Sequence, residues 1–139
     1  KQLGTEDIFF LGTVNTEVYL QKFDFTVLCS ISEGLALAVL ESFAAGRPCV
    51  VTDVGCCRQL IHGMRGDELG EAGICVPPMF REELCNAMER MCTHPRERYQ
   101  MGITARKRVE QYFRHEDMIH SYQQVYDEVF RSWQESDSV

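Results

Sequence analysis

The first half of the chain alternates two hydrophobic patterns. Short, continuous apolar runs rich in β-forming side chains are bounded by glycine, proline or polar residues, which is typical of strands buried on both faces. The segments between them have the composition and spacing of short helices. The pattern predicts strands at residues 7–12, 25–29, 49–53 and 73–76, and helices at 18–23, 35–45 and 57–61.

The second half is predicted to be helical throughout. Residues 81–92, 95–112 and 115–133 form the predicted helices, and Pro95 suits the first position of the middle one. The arginines and lysine between residues 96 and 108 are interpreted as a solvated helix face. The last helix carries its large apolar side chains on one face, at Met118, Ile119, Tyr122, Val125, Tyr126, Val129 and Phe130.

Strands that alternate with helices predict a parallel sheet with helices on both faces, an α/β, Rossmann-like fold. With 139 residues the chain suits one domain. We predict a partial Rossmann-like domain at residues 1–113, a C-terminal helix at 114–134 and a disordered tail at 135–139. Because the chain opens at Lys1 on what resembles the end of a helix, we expect it to be a piece of a longer protein.

Charge excludes some classes of partner. The formal net charge is −7, whereas nucleic-acid surfaces and polybasic membrane contacts are basic. No apolar run approaches the roughly 20 residues of a membrane span.

The seven cysteines are odd in number, lie mostly in apolar runs and never show C-x-x-C spacing. They predict buried thiols in a reducing, cytoplasmic protein without a metal site.

The stretch S-E-G-L-A-L-A-V-L-E, residues 32–41, holds the candidate chemistry. It lies at the carboxyl end of the second predicted strand, where α/β sheets bind ligands. Free backbone N–H groups at residues 35–37, with the helix dipole, suit a phosphate or diphosphate. Glu33 and Glu41 flank this site and can accept hydrogen bonds from sugar hydroxyls. The alternative, in which Glu33 caps the helix and Glu41 is simply solvated, stays open on spacing alone.

Five stretches in order resemble one known family. They are F-F-L-G-T-V at 9–14, L-C-S-I-S-E-G at 28–34, the E-x7-E spacing of Glu33 and Glu41, A-A-G-R-P-C-V-V-T-D-V-G at 44–55, and G-I-C-V-P-P at 73–78. Together they resemble the retaining glycosyltransferases of family 4, which have the two-domain GT-B fold. S-I-S-E-G and D-V-G-C-C-R are most similar to the branch that builds Pel-type bacterial exopolysaccharide.

The resemblance implies a role for each candidate residue. Glu33 would be the catalytic residue, in contact with the donor sugar near its reacting carbon, and Glu41 would hold the ribose hydroxyls. The remaining donor-binding positions are Thr13 and Val14 beside the base, and Ser32, Gly34, Leu35, Ala36 and Leu37 around the diphosphate.

The resemblance also implies a reaction and its partners. The domain would bind a nucleoside diphosphate sugar, with UDP-glucose as the expected donor, for transfer to a growing glycan or polysaccharide without a metal or other cofactor. An N-terminal domain of the same chain would supply the acceptor site and the arginine and lysine that neutralise the diphosphate. Residues 1–139 alone are therefore expected to be inactive. A membrane-associated synthesis complex is a further candidate partner, and nucleic acid is not.

Three positions depart from the family pattern. Ala36 stands where glycine is frequent, Cys56 replaces a second glycine, and Gln59 stands where glutamate is usual. These departures leave a second hypothesis open, a non-catalytic, glycosyltransferase-like α/β binding module. A phospho-receiver domain is disfavoured, because no lysine follows the strand at 73–76 and Glu41 would have no role in it.

Overall fold

The structure, a computed structural model, describes residues 7–136. Its strands and helices alternate along the chain before three helices close it. In chain order they are α1 (Thr16–Leu20), β1 (Thr26–Leu28), α2 (Leu37–Ala44), β2 (Cys49–Thr52), α3 (Cys57–His62), β3 (Gly73–Val76), α4 (Arg81–Thr93), α5 (Pro95–Tyr112) and α6 (His115–Ser136).

The strands form a parallel sheet in the order β1-β2-β3. Thr26 of β1 pairs with Cys49 of β2, and Cys49 pairs in turn with Gly73 of β3, so the three strands begin at one level. Every residue of β2 is buried. A central strand with no polar face needs cover on both sides, which the sequence predicted from its continuous apolar run.

Two apolar cores lie on the two faces of this sheet, because successive residues of a strand point to opposite sides. Cys49 and Val51 belong to the core that α2, α3 and α5 help to form. Val50 belongs to the other core, with Met91 of α4 and Met101 of α5. Helices therefore cover both faces, and the predicted α/β, Rossmann-like arrangement is confirmed.

The predicted strand at residues 7–12 is wrong, so the sheet has three described strands and not four. The side chains of Ile8 to Leu11 are exposed, and Phe10 is 96% exposed. The composition of this run favours extended backbone, but a strand also needs a neighbour that completes its hydrogen bonds. Within residues 7–136, β1 pairs with β2 alone, and the run at 7–12 has no strand beside it.

Local signals account for the start of α1 and the end of α2. α1 begins at Thr16 because the Asn15 side-chain oxygen accepts a hydrogen bond of 3.0 Å from the Glu17 N–H. α2 begins at Leu37, later than predicted, with Ala36 as its N-cap. It ends at Ala44, before Gly46, which adopts a positive φ of 71°.

The basic run on α5 is not wholly solvated, which corrects the sequence-based interpretation at Arg108. This side chain is only 1% exposed and forms an ion pair with Asp67 at 2.6 Å. It also donates hydrogen bonds to the backbone carbonyls of Leu60, Ile61 and Gly70. A helical pattern predicts which side of a helix is polar, but the loop that covers Arg108 comes from a distant part of the chain.

The apolar face predicted for the last helix faces solvent in the described structure. Tyr122, Tyr126 and Phe130 of α6 are all exposed, as are the other large apolar residues of that face. The Phe130 and Trp133 rings lie 6.5 Å apart between centroids. α6 continues to Ser136, past the predicted end at 134. The rest of the predicted tail, 137–139, lies outside the described residues.

Candidate functional site

Glu33 lies in the turn between β1 and α2, at the carboxyl edge of the sheet. Its side chain is half-buried, and its Oε1 accepts a hydrogen bond of 2.6 Å from Ser30 Oγ. Ser30 is anchored in turn, because its carbonyl oxygen accepts a hydrogen bond of 2.5 Å from Thr52 Oγ1 at the end of β2. The prediction that Glu33 occupies the ligand-binding edge of the sheet therefore agrees with its position.

The loop after β2 packs directly on this turn. The Cys56 N–H donates a hydrogen bond of 3.3 Å to the carbonyl oxygen of Gly34. Gly55 adopts a positive φ of 54° and lies against the carbonyl groups of Glu33 and Gly34. The ends of β1 and β2 are thus joined by backbone contacts at the residue that sequence reasoning proposed as catalytic.

The backbone N–H groups expected to bind a diphosphate follow this turn. Among the described residues, the N–H groups of Leu35, Ala36 and Leu37 donate no hydrogen bond. α2 has neither a side-chain cap nor an acidic residue in its first turn, so the positive end of its dipole lacks such compensation. Leu37 is 63% exposed, whereas Ala36 is buried. Ser32 and Gly34 are exposed on the same turn.

Glu41 lies on α2 and lines a cavity of about 500 Å³. Three helices contribute to this cavity, and its other lining residues are Thr16, Glu17, Leu20, Gln21, Ala44, Ala45 and Arg106. Glu33 and residues 34–37 do not line it. The structure therefore keeps the two glutamates in separate surroundings, with Glu33 at the sheet edge and Glu41 in a groove between α1, α2 and α5.

The residues predicted to face the base lie just before α1. Thr13 is exposed and Val14 is half-buried, and Asn15, the N-cap of α1, follows them. α1, which follows this loop, lines the cavity that contains Glu41, but Thr13 and Val14 are not among the residues that line it.

Sequence reasoning gave no role to an ion pair at the same sheet edge. Arg58, at the start of α3, donates hydrogen bonds to both carboxylate oxygens of Asp53, which follows β2. These hydrogen bonds lower the pKa of the Asp53 carboxyl group below its ordinary value. The spacing of five residues across a strand-to-helix turn is the signal that could have revealed it.

The cysteines are only partly buried, which corrects the prediction for three of them. Cys49 and Cys57 are buried, whereas Cys29, Cys85 and Cys92 are exposed. Burial raises the pKa of the Cys49 and Cys75 thiols to about 11 and also raises that of Cys57. These three thiols are therefore protonated at neutral pH and are poor nucleophiles.

Residues 7–136 contain neither a cluster of metal-ligating side chains nor a helix suited to spanning a membrane. No three His, Cys, Asp or Glu side chains in that range are grouped as a metal site would require. None of the helices there has the length and apolar character that crossing a bilayer demands.

The fold relates the chain to a class of protein of known structure. The chain superposes with a TM-score of 0.73 on the sucrose-phosphate synthase (tll1590) from Thermosynechococcus elongatus, at 26% identity, over 83% of this chain and 27% of that one. That neighbour is a GT-B glycosyltransferase, and the α/β, Rossmann-like arrangement is common to both.

The family follows from the sequence match. The chain belongs to the group 1 glycosyl transferases, whose family model matches residues 1–94. It is 32% identical, over 94% of its length, to the N-acetyl-alpha-D-glucosaminyl L-malate synthase of Bacillus anthracis, of which it covers 33%. It is 43% identical, over 42% of its length, to the O-antigen biosynthesis glycosyltransferase WbnH of Escherichia coli, of which it covers 17%. The chain thus spans a third or less of these relatives.

Proposed function

We propose that this chain is the donor-binding part of a retaining glycosyltransferase. The donor would be a nucleoside diphosphate sugar, UDP-glucose in the first instance, and the acceptor a growing glycan or polysaccharide. The observation that carries the proposal is the turn at residues 30–37, where Glu33 is held beside unpaired N–H groups at the carboxyl edge of β1. Membership of a glycosyl transferase family supports it.

The proposed chemistry divides the turn into two functions. The N–H groups of Leu35, Ala36 and Leu37, aided by the dipole of α2, would bind the diphosphate and stabilise it as it leaves. As that bond breaks, the anomeric carbon gains positive charge. The carboxylate of Glu33 would stabilise this charge, which exists in the transition state and not in the bound donor. By resemblance to the family, the proposal includes no metal.

The nucleoside would lie on the other side of α2. Glu41 would accept hydrogen bonds from the ribose hydroxyls at the groove between α1, α2 and α5, with Thr13 and Val14 next to the base. The cavity of about 500 Å³ supports this arrangement, because it offers space beside the Glu41 carboxylate. The cavity also contains Glu17, which has no role in the proposal and provides a control.

The remaining parts of the enzyme would come from a domain of the same chain that precedes the residues described. An N-terminal domain would provide the acceptor site and the basic residues for the diphosphate, so residues 1–139 alone should not catalyse transfer. The proposed location is the cytoplasm, where the enzyme could serve a membrane-associated synthesis complex. The coverage of a third or less of the relatives supports the existence of further segments.

Glu41→Ala tests the ribose assignment in a protein that includes the preceding domain. We expect the variant to bind UDP more weakly by about 1–3 kcal/mol, the cost of hydrogen bonds to a charged acceptor. Glu17→Ala, in the same cavity, should leave the affinity unchanged. Isothermal titration with UDP measures both. Equal affinity of Glu41→Ala and the unaltered protein would refute the assignment.

Glu33→Gln tests the catalytic assignment, because glutamine keeps the shape and removes the charge. We expect kcat to fall by roughly tenfold or more, about 1.36 kcal/mol of barrier per tenfold, with a smaller change in UDP affinity. Glu110→Gln, an exposed carboxylate on α5, is the control. NMR of the product anomer tests retention, and a panel of sugar nucleotides tests the donor. Binding of a sugar nucleotide without transfer to any acceptor would favour the non-catalytic module.

A further inference from the structure

We infer that Gly55 and Ser30 are positioning residues for the carboxylate of Glu33. Gly55 determines where the backbone of the Glu33 turn can lie, and Ser30 determines how its side chain is oriented. The inference rests on the proposed function, because positioning matters only if Glu33 acts on the donor sugar. It adds to that proposal two residues that contact neither the phosphates nor the ribose in it.

Glycine is the only residue type that position 55 tolerates. Its φ of +54° lies in the left-handed region that favours glycine. A Cβ atom at this position would lie 2.7 Å from the Gly34 carbonyl oxygen and closer still to that of Glu33. Real Cβ atoms essentially never approach other atoms within 3.0 Å, so any side chain must displace the turn.

The neighbouring residue shows that the requirement is confined to one position. Cys56 stands where the family pattern has a second glycine, but its φ is −90°, which any residue can adopt. Its N–H donates to the Gly34 carbonyl oxygen at 3.3 Å, a hydrogen bond that a cysteine makes as well as a glycine. The departure at Cys56 therefore leaves the contact with the Glu33 turn intact.

The side chain of Ser30 orients the carboxylate of Glu33. Its hydroxyl donates to Oε1 of Glu33 at 2.6 Å, while Thr52 Oγ1 holds the Ser30 carbonyl at 2.5 Å. None of the hydrogen bonds among the described residues uses Oε2 of Glu33. One carboxylate oxygen is thus fixed by the protein and the other is available to a ligand.

This arrangement has a kinetic consequence. A carboxylate that stabilises charge in the transition state must already be in place when the charge develops, because reorienting it during the reaction adds to the barrier. Loosening the turn should therefore lower kcat more than it weakens binding of UDP, which lacks the sugar. A residue needed only for folding would instead lower the yield or the melting temperature.

Gly55→Ala is the first test, in a protein that includes the preceding domain. The matched control is Gly70→Ala, because Gly70 also has a positive φ, of 95°, but nothing lies within 4 Å of its would-be Cβ. Both substitutions place a side chain on a residue with positive φ, and only the first contacts the Glu33 turn. We expect kcat to fall about tenfold or more for Gly55→Ala and to stay within about twofold for Gly70→Ala.

Ser30→Ala is the second test, and it decides the question if Gly55→Ala does not fold. We expect kcat to fall by about three- to tenfold with unchanged UDP affinity and melting temperature, and Ser30→Thr to recover most of the rate by restoring the hydroxyl. Steady-state rates and UDP titrations are both measured, so that a loss of folded protein is distinguished from a loss of kcat.

The outcomes separate this inference from the proposed function. If Glu33→Gln lowers kcat while Gly55→Ala and Ser30→Ala do not, the positioning roles are wrong and the catalytic role stands. If Glu33→Gln itself turns over at the normal rate, the catalytic assignment fails and the inference fails with it. If Gly70→Ala loses as much activity as Gly55→Ala, general backbone strain explains the loss, and the role of Gly55 is refuted.

Discussion

Replacing Arg108 by methionine removes a buried positive charge. The guanidinium and its partner carboxylate on Asp67 are each only 1% exposed, and the two side chains pair at 2.6 Å. Arg108 also donates to three backbone carbonyls, two at the end of α3 and one at Gly70. It thereby joins α5 to the loop between α3 and β3.

The expected cost follows from what the substitution leaves behind. Asp67 keeps a buried carboxylate without its cation, and breaking such a pair from one side typically costs about 3–5 kcal/mol. The carbonyls add to this cost only where water cannot reach them. We expect Arg108→Met to lower the free energy of unfolding by about 3–5 kcal/mol, a large share of the roughly 5–15 kcal/mol of a typical domain.

Urea denaturation followed by circular dichroism measures this quantity. Arg106→Met is the matched control, because Arg106 lies on the same helix but is exposed and pairs with Glu110 at the i,i+4 spacing. Such a surface pair contributes about 0.3–0.5 kcal/mol, so the control should be nearly neutral. Similar effects of the two substitutions would refute the argument that burial, and not charge alone, makes Arg108 important.

The same ion pair predicts a pH dependence. Hydrogen bonding to Arg108 lowers the pKa of the folded Asp67 carboxyl group below its ordinary value of 3.8. A lowered folded pKa contributes stability that is present above the unfolded value and is lost as the pH falls through the folded one. The urea concentration at the unfolding midpoint should therefore decrease as the pH falls below about 4. Asp67→Asn should remove this part of the acid sensitivity.

Three further predictions concern individual side chains. The Cys49 and Cys75 thiols, with pKa values of about 11, should react with iodoacetamide at pH 8 roughly 100-fold more slowly than an unperturbed exposed thiol, because the thiolate is the nucleophile. Mass spectrometry of quenched samples measures the rates, and equal rates would contradict the prediction. Phe80→Asp should raise the free energy of unfolding by about 1 kcal/mol, because Phe80 is the N-cap of α4 and makes no capping hydrogen bond. Met79→Gly should raise the free energy of unfolding by about 1 kcal/mol, because glycine adopts a φ of 67° without strain. Thermal unfolding measures the Phe80→Asp and Met79→Gly variants, and a lower melting temperature of either would contradict its prediction.

The sequence alone was sufficient where local pattern decides structure. β2 and β3 were predicted from continuous apolar runs, and α5 from Pro95 to Tyr112 with both bounds correct. The position of Glu33 at the sheet edge followed from the strand–glycine–helix order, because parallel strands place their carboxyl ends together. These features depend on neighbours in the chain, so reading neighbouring residues recovers them.

Only the tertiary structure decided the features that depend on distant residues. Residues 7–12 have the composition of a strand but lack a hydrogen-bonding neighbour, and Arg108 has the spacing of a surface residue but is covered by the loop that contains Asp67. The contact of Gly55 with the Glu33 turn joins positions 22 residues apart, and so does the Thr52–Ser30 hydrogen bond. A hydrophobic pattern records which side of an element is apolar, and not which distant segment will lie against it.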